Sequence, residues 1–336
     1  MQNVARFSDK ERKELFAATA AKMGLHESVV EKDFWVCFLL NHLFHDSEYK
    51  DAFVFKGGTS LSKAYHIIER FSEDIDLILD WRKIDYKTED AWKDRSKNQQ
   101  DKFNKEMNAA AARFYKNALI PKLNEELEAK LGLKNLFKTD ENDEMIVQFA
   151  YPPLFQNLYL RSYVQLEIGP IAEWLPSHEV AIKSFAAEQY PRVFQVCPES
   201  LVRTVDVERT FWEKITILHK IANFPKEKTL PKRYARHLYD VYKMGKSKIK
   251  EMAFAKRELL DKDIAFKQKF YYSKNARYET AVLNSVRLLP ESSFIDELRS
   301  DYHNMLQMIY GDKPDFDEII DYLKILEKEI HSLEKE

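Results

Sequence analysis

Hydrophobic residues at helical spacing predict that the chain begins with helices. Between Asp9 and about His45, apolar side chains recur on one helix face, first around Phe16 and later around Phe38. Ser8 or Asp9 can cap the first helix, because short polar side chains accept hydrogen bonds from the free N–H groups of a first turn. We therefore expect two helices in this segment.

The next pattern predicts a strand, a glycine turn, a helix and a second strand. The apolar residues 52–55 are predicted to form a short strand that runs into Gly57 and Gly58. Apolar spacing from Leu61 to Ile68 then predicts a helix. The segment from Asp74 to Leu79 alternates acidic and apolar residues before becoming wholly apolar, which is typical of a strand.

Further strands follow a helical insertion. Residues from about 85 to 131 are rich in lysine and carry apolar residues at helical spacing, which predicts long inserted helices. The segments Met145 to Tyr151 and Leu158 to Ile168 are predicted to be strands. Shorter strand candidates lie near Val180 and Val193.

From Val205 onward the pattern is almost wholly helical. The sequence therefore predicts an α+β fold with two domains. Residues 1–200 would form a mixed domain that contains the N-terminal helices and the insertion at about 85–131. Residues 201–336 would form an α-helical C-terminal domain.

Composition and charge limit the classes of function. The chain is 45% hydrophobic and has a formal net charge of −2, so contact with nucleic acid would need a local basic patch. Cys37 and Cys197 lie far apart, and neither has a Cys or His at metal-ligand spacing, which indicates a reducing compartment. No secretory signal pattern opens the chain, and its longest apolar stretch is about half the ~20 residues that span a bilayer. We expect a cytoplasmic protein without membrane contact.

The acidic pair Asp74 and Asp76 is the first candidate for chemistry. Residues at positions i and i+2 of a strand point to the same face, so these two carboxylates should lie side by side. They would repel each other unless a cation shares them, and Mg²⁺ is typically held by one or two carboxylates together with substrate phosphates. The alternative is a pair of solvated acids on an edge strand.

The turn Gly57-Gly58-Thr59-Ser60 strengthens this interpretation. Glycines let the backbone approach a ligand closely, and backbone N–H groups with Thr and Ser hydroxyls can bind phosphate oxygens. A phosphate-binding turn would then adjoin the carboxylate pair.

The chain resembles a known family in several segments. The segments Phe55–Leu61 and Arg70–Asp76 together are similar to the polymerase-β type of nucleotidyltransferase and, more narrowly, to the AbiEii/AbiGii toxin family. Three further segments of this chain also resemble segments of that family: Glu31–Trp35, Val207–Lys214 and Arg236–Asp240. The resemblance implies a polymerase-β-like core, in which a small mixed sheet is flanked by helices, within residues 1–200.

The resemblance also implies an activity. It implies an Mg²⁺-dependent enzyme, with Mn²⁺ as an alternative cation, that transfers a nucleotide from a nucleoside triphosphate to an RNA acceptor, namely the 3′ end of tRNA. Such an enzyme is the toxin of a toxin-antitoxin system, so a cognate antitoxin protein is implied as a partner. Asp74 and Asp76 would be catalytic and would bind the metal. The substrate would contact the residues around them, which are Lys56, Gly57, Gly58, Thr59, Ser60, Arg70 and Ser72.

Three further residues extend the candidate site. The superfamily often has a third metal-binding carboxylate, and Glu167 is the candidate because it lies on the polar face of an apolar strand; the alternative is an exposed strand glutamate. Lys214 falls within the apolar sector of its helix, so it should point inward and contact substrate phosphate or form a structural ion pair. Asp240 could bond Arg236 one turn earlier, whereas the family motif implies a catalytic role, either orienting Lys214 or acting on the acceptor hydroxyl.

An RNA contact would need basic residues, and a basic stretch near these helices could supply them. Its members are Lys226, Lys228, Lys232, Arg233 and Arg236, and the alternative is a solvated loop. Two other functions remain open. The same fold could modify a small molecule or a protein hydroxyl, or it could bind nucleotide or a partner without catalysis.

Overall fold

The structure, a computed structural model, describes residues 1–156, 160–172, 176–194, 199–225, 227 and 229–335. The chain divides into two units. Residues 1–64 and 71–205 form the first unit, and residues 65–70 and 206–336 form the second. The first unit combines a sheet with helices and the second is helical, so the predicted α+β class is confirmed.

Helices open the first unit, as the apolar spacing predicts. They are α1 (Gln2–Ala5), α2 (Asp9–Met23) and α3 (Glu27–Asn41). Ser8 caps α2, because its hydroxyl accepts the N–H of Glu11 while the Glu11 carboxylate accepts the N–H of Ser8 at 2.9 Å. Most of α3 is buried, including Phe34 and Trp35. The two helices predicted between Asp9 and His45 are therefore confirmed.

One seven-stranded mixed sheet forms the centre of the first unit. Its strands are β1 (Phe53–Lys56), β2 (Asp74–Leu79), β3 (Phe137–Thr139), β4 (Ile146–Phe149), β5 (Val164–Gly169), β6 (Ser177–Lys183) and β7 (Glu199–Val205). Their order across the sheet is β3-β4-β5-β2-β1-β7-β6. Strand β2 runs parallel to β5, and β1 runs parallel to β7, while the other neighbours are antiparallel.

The strand predictions need three corrections. The candidate near Val193 is wrong, since Pro191–Val193 forms a turn of 3₁₀ helix and proline has no N–H to donate to a sheet. Strand β7 occupies the segment where the sequence suggested a domain boundary. The strand predicted from Leu158 begins at Val164; Leu158 itself lies outside the described residues.

The remaining helices of the first unit surround this sheet. They are α4 (Gly57–Lys63), α5 (Lys97–Phe114), α6 (Ile120–Leu131) and α7 (Phe185–Gln189). Helix α4 ends before the predicted Ile68, and His66 takes a left-handed φ of 53°. Helices α5 and α6 lie within residues 85–131, where the sequence predicts helices. The Tyr115 hydroxyl between them donates to the Ile168 carbonyl at 2.9 Å, which ties the insertion to β5.

Helices make up the second unit, as predicted for the C-terminal part of the chain. They are α8 (Val207–Ala222), α9 (Ala235–Gly245), α10 (Ile249–Phe254), α11 (Glu258–Phe270), α12 (Ile295–Met305) and α13 (Phe316–Ser332). The Trp212 indole donates to the Ala253 carbonyl at 3.1 Å, so α8 and α10 are joined in its core. Among the residues that the structure describes, no helix is long and apolar enough to cross a membrane.

Candidate active site

The acidic pair lies on the central strand β2. Asp74 is opposite Gln165 of β5, and Asp76 is opposite Glu167 of β5 and Lys56 of β1. Ile75 between the two acids is fully buried, whereas both acids are partly exposed. Because paired residues of neighbouring strands point to the same side, Asp74, Asp76 and Glu167 share one face of the sheet.

Gly57 is required by its position next to Asp76. Its φ is +78°, a conformation that residues with a side chain rarely adopt. A Cβ atom at this position would also overlap the Asp76 carboxylate. The glycine turn therefore allows Asp76 to lie against the backbone where α4 begins.

Thr59 and Ser60 are buried and bond within the fold. The Thr59 hydroxyl donates to the carbonyl of Asp74, and the Ser60 hydroxyl donates to the carbonyl of Gly57 at 2.8 Å. The Thr59 bond fastens α4 to the start of β2, whereas the Ser60 bond lies within α4. Lys56, Gly57, Gly58 and Ser72 are partly exposed. Their contact with substrate, like that of Thr59 and Ser60, stays a prediction.

Arg161 and Gln165 bond the acids that flank Asp76. One guanidinium nitrogen of Arg161, Nη1, lies 3.0 Å from Asp74 Oδ1 and 2.7 Å from Gln165 Oε1. The Gln165 amide in turn donates to Glu167 Oε1 at 2.9 Å. Asp74 and Glu167 are thus linked through two side chains that the sequence did not single out.

A buried ion pair holds the backbone of Arg161 in place. The Lys32 ammonium lies 2.7 Å from the Glu73 carboxylate and donates to the Arg161 carbonyl at 3.0 Å. Glu73 accepts the Arg161 N–H at 3.3 Å, and both ion-pair partners are almost fully buried. Burial alone would raise the pKa of Glu73, but Lys32 and Arg161 outweigh it and lower the pKa below its ordinary value.

The electrostatics and the donor set fit a divalent cation. Burial raises the pKa of Asp74 above its ordinary value; Arg161 opposes the rise, and Glu73 and Glu167 add to it. A cation would relieve this repulsion, and carboxylate oxygens are ligands that Mg²⁺ accepts. Within the described ranges, however, no group of three or more His, Cys, Asp or Glu residues could hold a metal ion. The third ligand, Glu167, stays a prediction.

A second cluster of predicted residues lies within the second unit. Arg70 binds Asp240 through two hydrogen bonds of 2.7 and 2.8 Å, and Lys214 Nζ lies 2.8 Å from Asp240 Oδ2. Lys214 also lies 3.2 Å from His237 Nδ1. Asp240 is fully buried, and Arg70 and Lys214 are nearly so. Lys214 therefore points inward, as the helical spacing predicts, and its partner is Asp240.

The charges of this cluster follow from its geometry. Burial alone would raise the pKa of Asp240, but the two cations outweigh it and lower the pKa well below its ordinary value. Burial, together with Lys214, lowers the pKa of His237 far below its ordinary value, so His237 is neutral and accepts from Lys214. Arg70 and Lys214 both bind the carboxylate of Asp240.

Other predicted residues lie outside this cluster or outside the described residues. Lys232, Arg233 and Arg236 of the basic stretch are exposed, whereas Lys226 and Lys228 lie outside the described residues. Cys37 is buried, and Cys197 also lies outside them.

Comparison with known families shows which family the chain belongs to. The family model described as nucleotidyl transferase AbiEii toxin, type IV toxin-antitoxin system, matches residues 39–322. The protein therefore belongs to this family of nucleotidyltransferase toxins, which confirms the resemblance seen in the sequence. Membership implies a nucleoside triphosphate as substrate and an antitoxin as partner. A search of curated proteins found no match.

Two solved structures are similar to the chain. MenT4, a nucleotidyltransferase toxin from Mycobacterium tuberculosis H37Rv, has a TM-score of 0.49 and 16% sequence identity, with 93% of this chain and 98% of that chain covered. JHP933 from Helicobacter pylori has a TM-score of 0.42 and 16% identity, with 91% of this chain and 94% of that chain covered.

Proposed function

We propose that this protein transfers a nucleoside monophosphate from a nucleoside triphosphate to a hydroxyl of RNA, with the 3′ end of tRNA as acceptor. The observation that carries the proposal is the placement of Asp74 and Asp76 on one face of β2, beside the Gly57 turn. Family membership supplies the reaction class.

The reaction is an in-line displacement at the α-phosphorus. The acceptor oxygen forms a new bond to the α-phosphorus, the bond between the α-phosphorus and the leaving oxygen breaks, and pyrophosphate departs while the hydroxyl proton is lost. Asp74 and Asp76 would hold Mg²⁺ or Mn²⁺, with Glu167 as a third ligand. Bound there, the cation would supply Lewis-acid chemistry at the acceptor hydroxyl and at the departing pyrophosphate.

The chain's own residues have separate tasks in this reaction. Gly57 and Gly58 bring backbone close to the phosphates, with Lys56, Ser72 and the backbone N–H groups of Thr59 and Ser60 as neighbouring substrate contacts. Lys214 and Arg70 supply positive charge for a phosphate-bearing substrate. We assign Asp240 an orienting role, because both of its oxygens hold cations and its lowered pKa makes it a poor proton acceptor.

An exposed basic and aromatic segment favours RNA as the acceptor. From Phe266 to Tyr278 the sequence carries basic residues and no acidic one. Within it, Tyr271 and Tyr272 are 49% and 59% exposed. Exposed aromatic rings beside cations suit the stacking of unpaired bases and contact with RNA phosphates. We call residues 269–277 the aromatic-basic segment.

Incubation of the purified protein with total tRNA, Mg²⁺ and each of the four labelled triphosphates in turn tests the proposal. We expect one or more labels to enter tRNA, and mass analysis of the 3′-terminal fragment should show the added nucleotide. Label in a small molecule or in protein would contradict the RNA acceptor. Nucleotide binding by calorimetry without any product would contradict catalysis.

A further inference from the structure

The carboxylates of Asp74 and Glu167, which are neighbours of Asp76 on the sheet, already accept hydrogen bonds from other side chains. Arg161 Nη1 bonds both Asp74 Oδ1 and Gln165 Oε1, and the other end of the Gln165 amide bonds Glu167 Oε1. The Arg161 bond and the last of these bonds each engage one oxygen of a carboxylate that is predicted to hold the metal ion. A series of hydrogen bonds therefore links two of the predicted metal ligands, running from Asp74 through Arg161 and Gln165 to Glu167.

The excess of negative charge around Asp74 favours a bound cation where the Arg161 guanidinium lies. The four carboxylates of Glu73, Asp74, Asp76 and Glu167 outnumber the three cations of Lys32, Lys56 and Arg161. Without the guanidinium, Asp74 and its acidic neighbours would repel one another more strongly. Arg161 thus compensates charge as a bound cation would.

We propose that Arg161 and Gln165 form a clasp that competes with a divalent cation for Asp74 and Glu167. The inference rests on the proposed metal-dependent function and adds a device that controls metal affinity. A cation that binds these same two carboxylate oxygens requires the Arg161 bond to Asp74 and the Gln165 bond to Glu167 to break.

The clasp can open without unfolding its surroundings. Its backbone is fixed, because the Arg161 N–H donates to Glu73 and the Arg161 carbonyl accepts from Lys32. The Arg161 side chain is 37% exposed, whereas Lys32 and Glu73 are 1% and 3% exposed. A change of rotamer would carry the guanidinium from Asp74 into solvent.

Binding of Mn²⁺ to the nucleotide-free protein tests the clasp without any enzymatic readout. We expect Arg161→Met to bind Mn²⁺ about tenfold more tightly than the wild type in calorimetry, because a hydrogen bond to a charged group no longer has to be broken. Gln165→Met removes no charge, and Glu167 is the one carboxylate that it frees, although it also removes the Gln165 bond to Arg161. We therefore expect a smaller gain of roughly threefold. Arg192→Met, an exposed arginine of the same unit, is the matched control and should bind as the wild type does.

The variants distinguish a clasp from a simple effect of charge. Equal or weaker Mn²⁺ binding by Arg161→Met, with a folded state confirmed by circular dichroism, overturns the clasp. A gain in Arg161→Met without any gain in Gln165→Met also overturns it, since charge alone would then account for the change. If Arg161→Met does not fold, Gln165→Met and Arg161→Lys decide, and wild-type affinity in both contradicts the clasp.

The clasp and the proposed function can fail separately. Tighter Mn²⁺ binding by Arg161→Met that Asp74→Asn abolishes supports the clasp, even if no nucleotide is transferred to RNA. Tighter binding that survives Asp74→Asn shows that the ion lies elsewhere, which overturns both the clasp and the metal assignment.

Discussion

At the scale of single residues, the acidic pair depends on a glycine that no other residue can replace. Gly57 combines a left-handed φ of +78° with a backbone that touches the Asp76 carboxylate. Gly132 has a similar φ of +72°, but a Cβ there would meet nothing within 4 Å. Substitutions at the two glycines therefore distinguish the effect of backbone strain from the effect of displacing Asp76.

We predict that Gly57→Ala loses nucleotide transfer and is destabilised by about 1–3 kcal/mol or more, because it adds backbone strain and displaces Asp76. Gly132→Ala carries the backbone strain alone, so it should lose stability and keep its activity. Urea denaturation and a nucleotide-incorporation assay measure the two effects. Full activity of Gly57→Ala would show that the contact with Asp76 does not matter.

The lowered pKa of Asp240 predicts how the stability of the protein depends on pH. Its folded-state pKa is lowered, so its contribution to stability is present above the unfolded value of about 3.9 and is lost as the pH falls below it. At pH 7, Asp240→Asn leaves Arg70 and Lys214 without their counter-ion and should destabilise the protein by about 3–5 kcal/mol. The stability difference between wild type and variant should shrink as the pH is lowered from 6 to about 3.

Urea denaturation at several pH values measures this difference. Asp321→Asn, which alters an exposed acid of α13, is the control and should change stability by less than about 1 kcal/mol. A difference for Asp240→Asn that is independent of pH would contradict the assigned charge state.

At the scale of elements, a buried ion pair joins α3, β2 and the segment before β5. Lys32 comes from α3, Glu73 immediately precedes β2, and both bond the backbone of Arg161. An isolated buried charge is unfavourable, so removal of either partner alone should be more harmful than removal of both.

We predict that Lys32→Met destabilises the protein by about 3–5 kcal/mol and that the double variant Lys32→Met, Glu73→Gln recovers part of this loss. A double-mutant cycle measured by urea denaturation gives the coupling free energy between Lys32 and Glu73. The exposed pair Lys105 and Asp101 of α5 serves as the reference, with an expected coupling of about 0.3–0.5 kcal/mol. Additive effects of the Lys32 and Glu73 changes would contradict the importance of the pair.

The elements that sequence predicted best are those with a clear period. The period of two in Asp74 to Leu79 gave both the strand and the shared face of its acids, and the helical period of α8 gave the inward direction of Lys214. Strand β7 was missed because its burial does not follow its polarity: Leu201 is exposed, whereas Ser200 and Thr204 are buried. The strand predicted near Val193 was wrong because the preceding Pro191 begins a 3₁₀ turn.

The partners in the site were harder to predict than its acids. Arg161 bonds Asp74 across 87 positions of sequence, and no local pattern marks such a contact. Lys32 had a signal, since charged residues within the apolar helix α3 must be paired when buried. The hydroxyls of Thr59 and Ser60 suit phosphate in sequence, but the fold uses them to bond the backbone.

At the scale of the whole molecule, the two units carry different parts of the proposed chemistry. The first contains the acidic pair and the glycine turn, and the second contains the Arg70, Lys214 and Asp240 cluster and the aromatic-basic segment. A toxin that modifies RNA must also bind it, and a chain with a net charge of −2 must do so through local patches.

We predict that Tyr271→Ala with Tyr272→Ala weakens RNA binding about tenfold or more, because each exposed ring offers a stacking surface for a base. Lys274→Gln with Arg277→Gln should reduce the salt dependence of binding by roughly two units of slope, about one for each phosphate contact removed. Filter binding of tRNA at several salt concentrations measures both. Trp92→Ala, which removes an exposed ring from the first unit, should leave binding unchanged. Unchanged binding in both double variants would exclude the aromatic-basic segment as the RNA surface.

The most direct measurement is the rate at which purified protein adds labelled nucleotide to tRNA in Mg²⁺, compared between Asp76→Asn and Asp101→Asn. Both variants remove one negative charge from the first unit, but Asp101 is an exposed residue of α5. We predict that Asp76→Asn lowers the rate at least about a hundredfold, since it removes a carboxylate that we propose binds the metal, while Asp101→Asn keeps the wild-type rate. Equal rates in the two variants would contradict catalysis at the acidic pair.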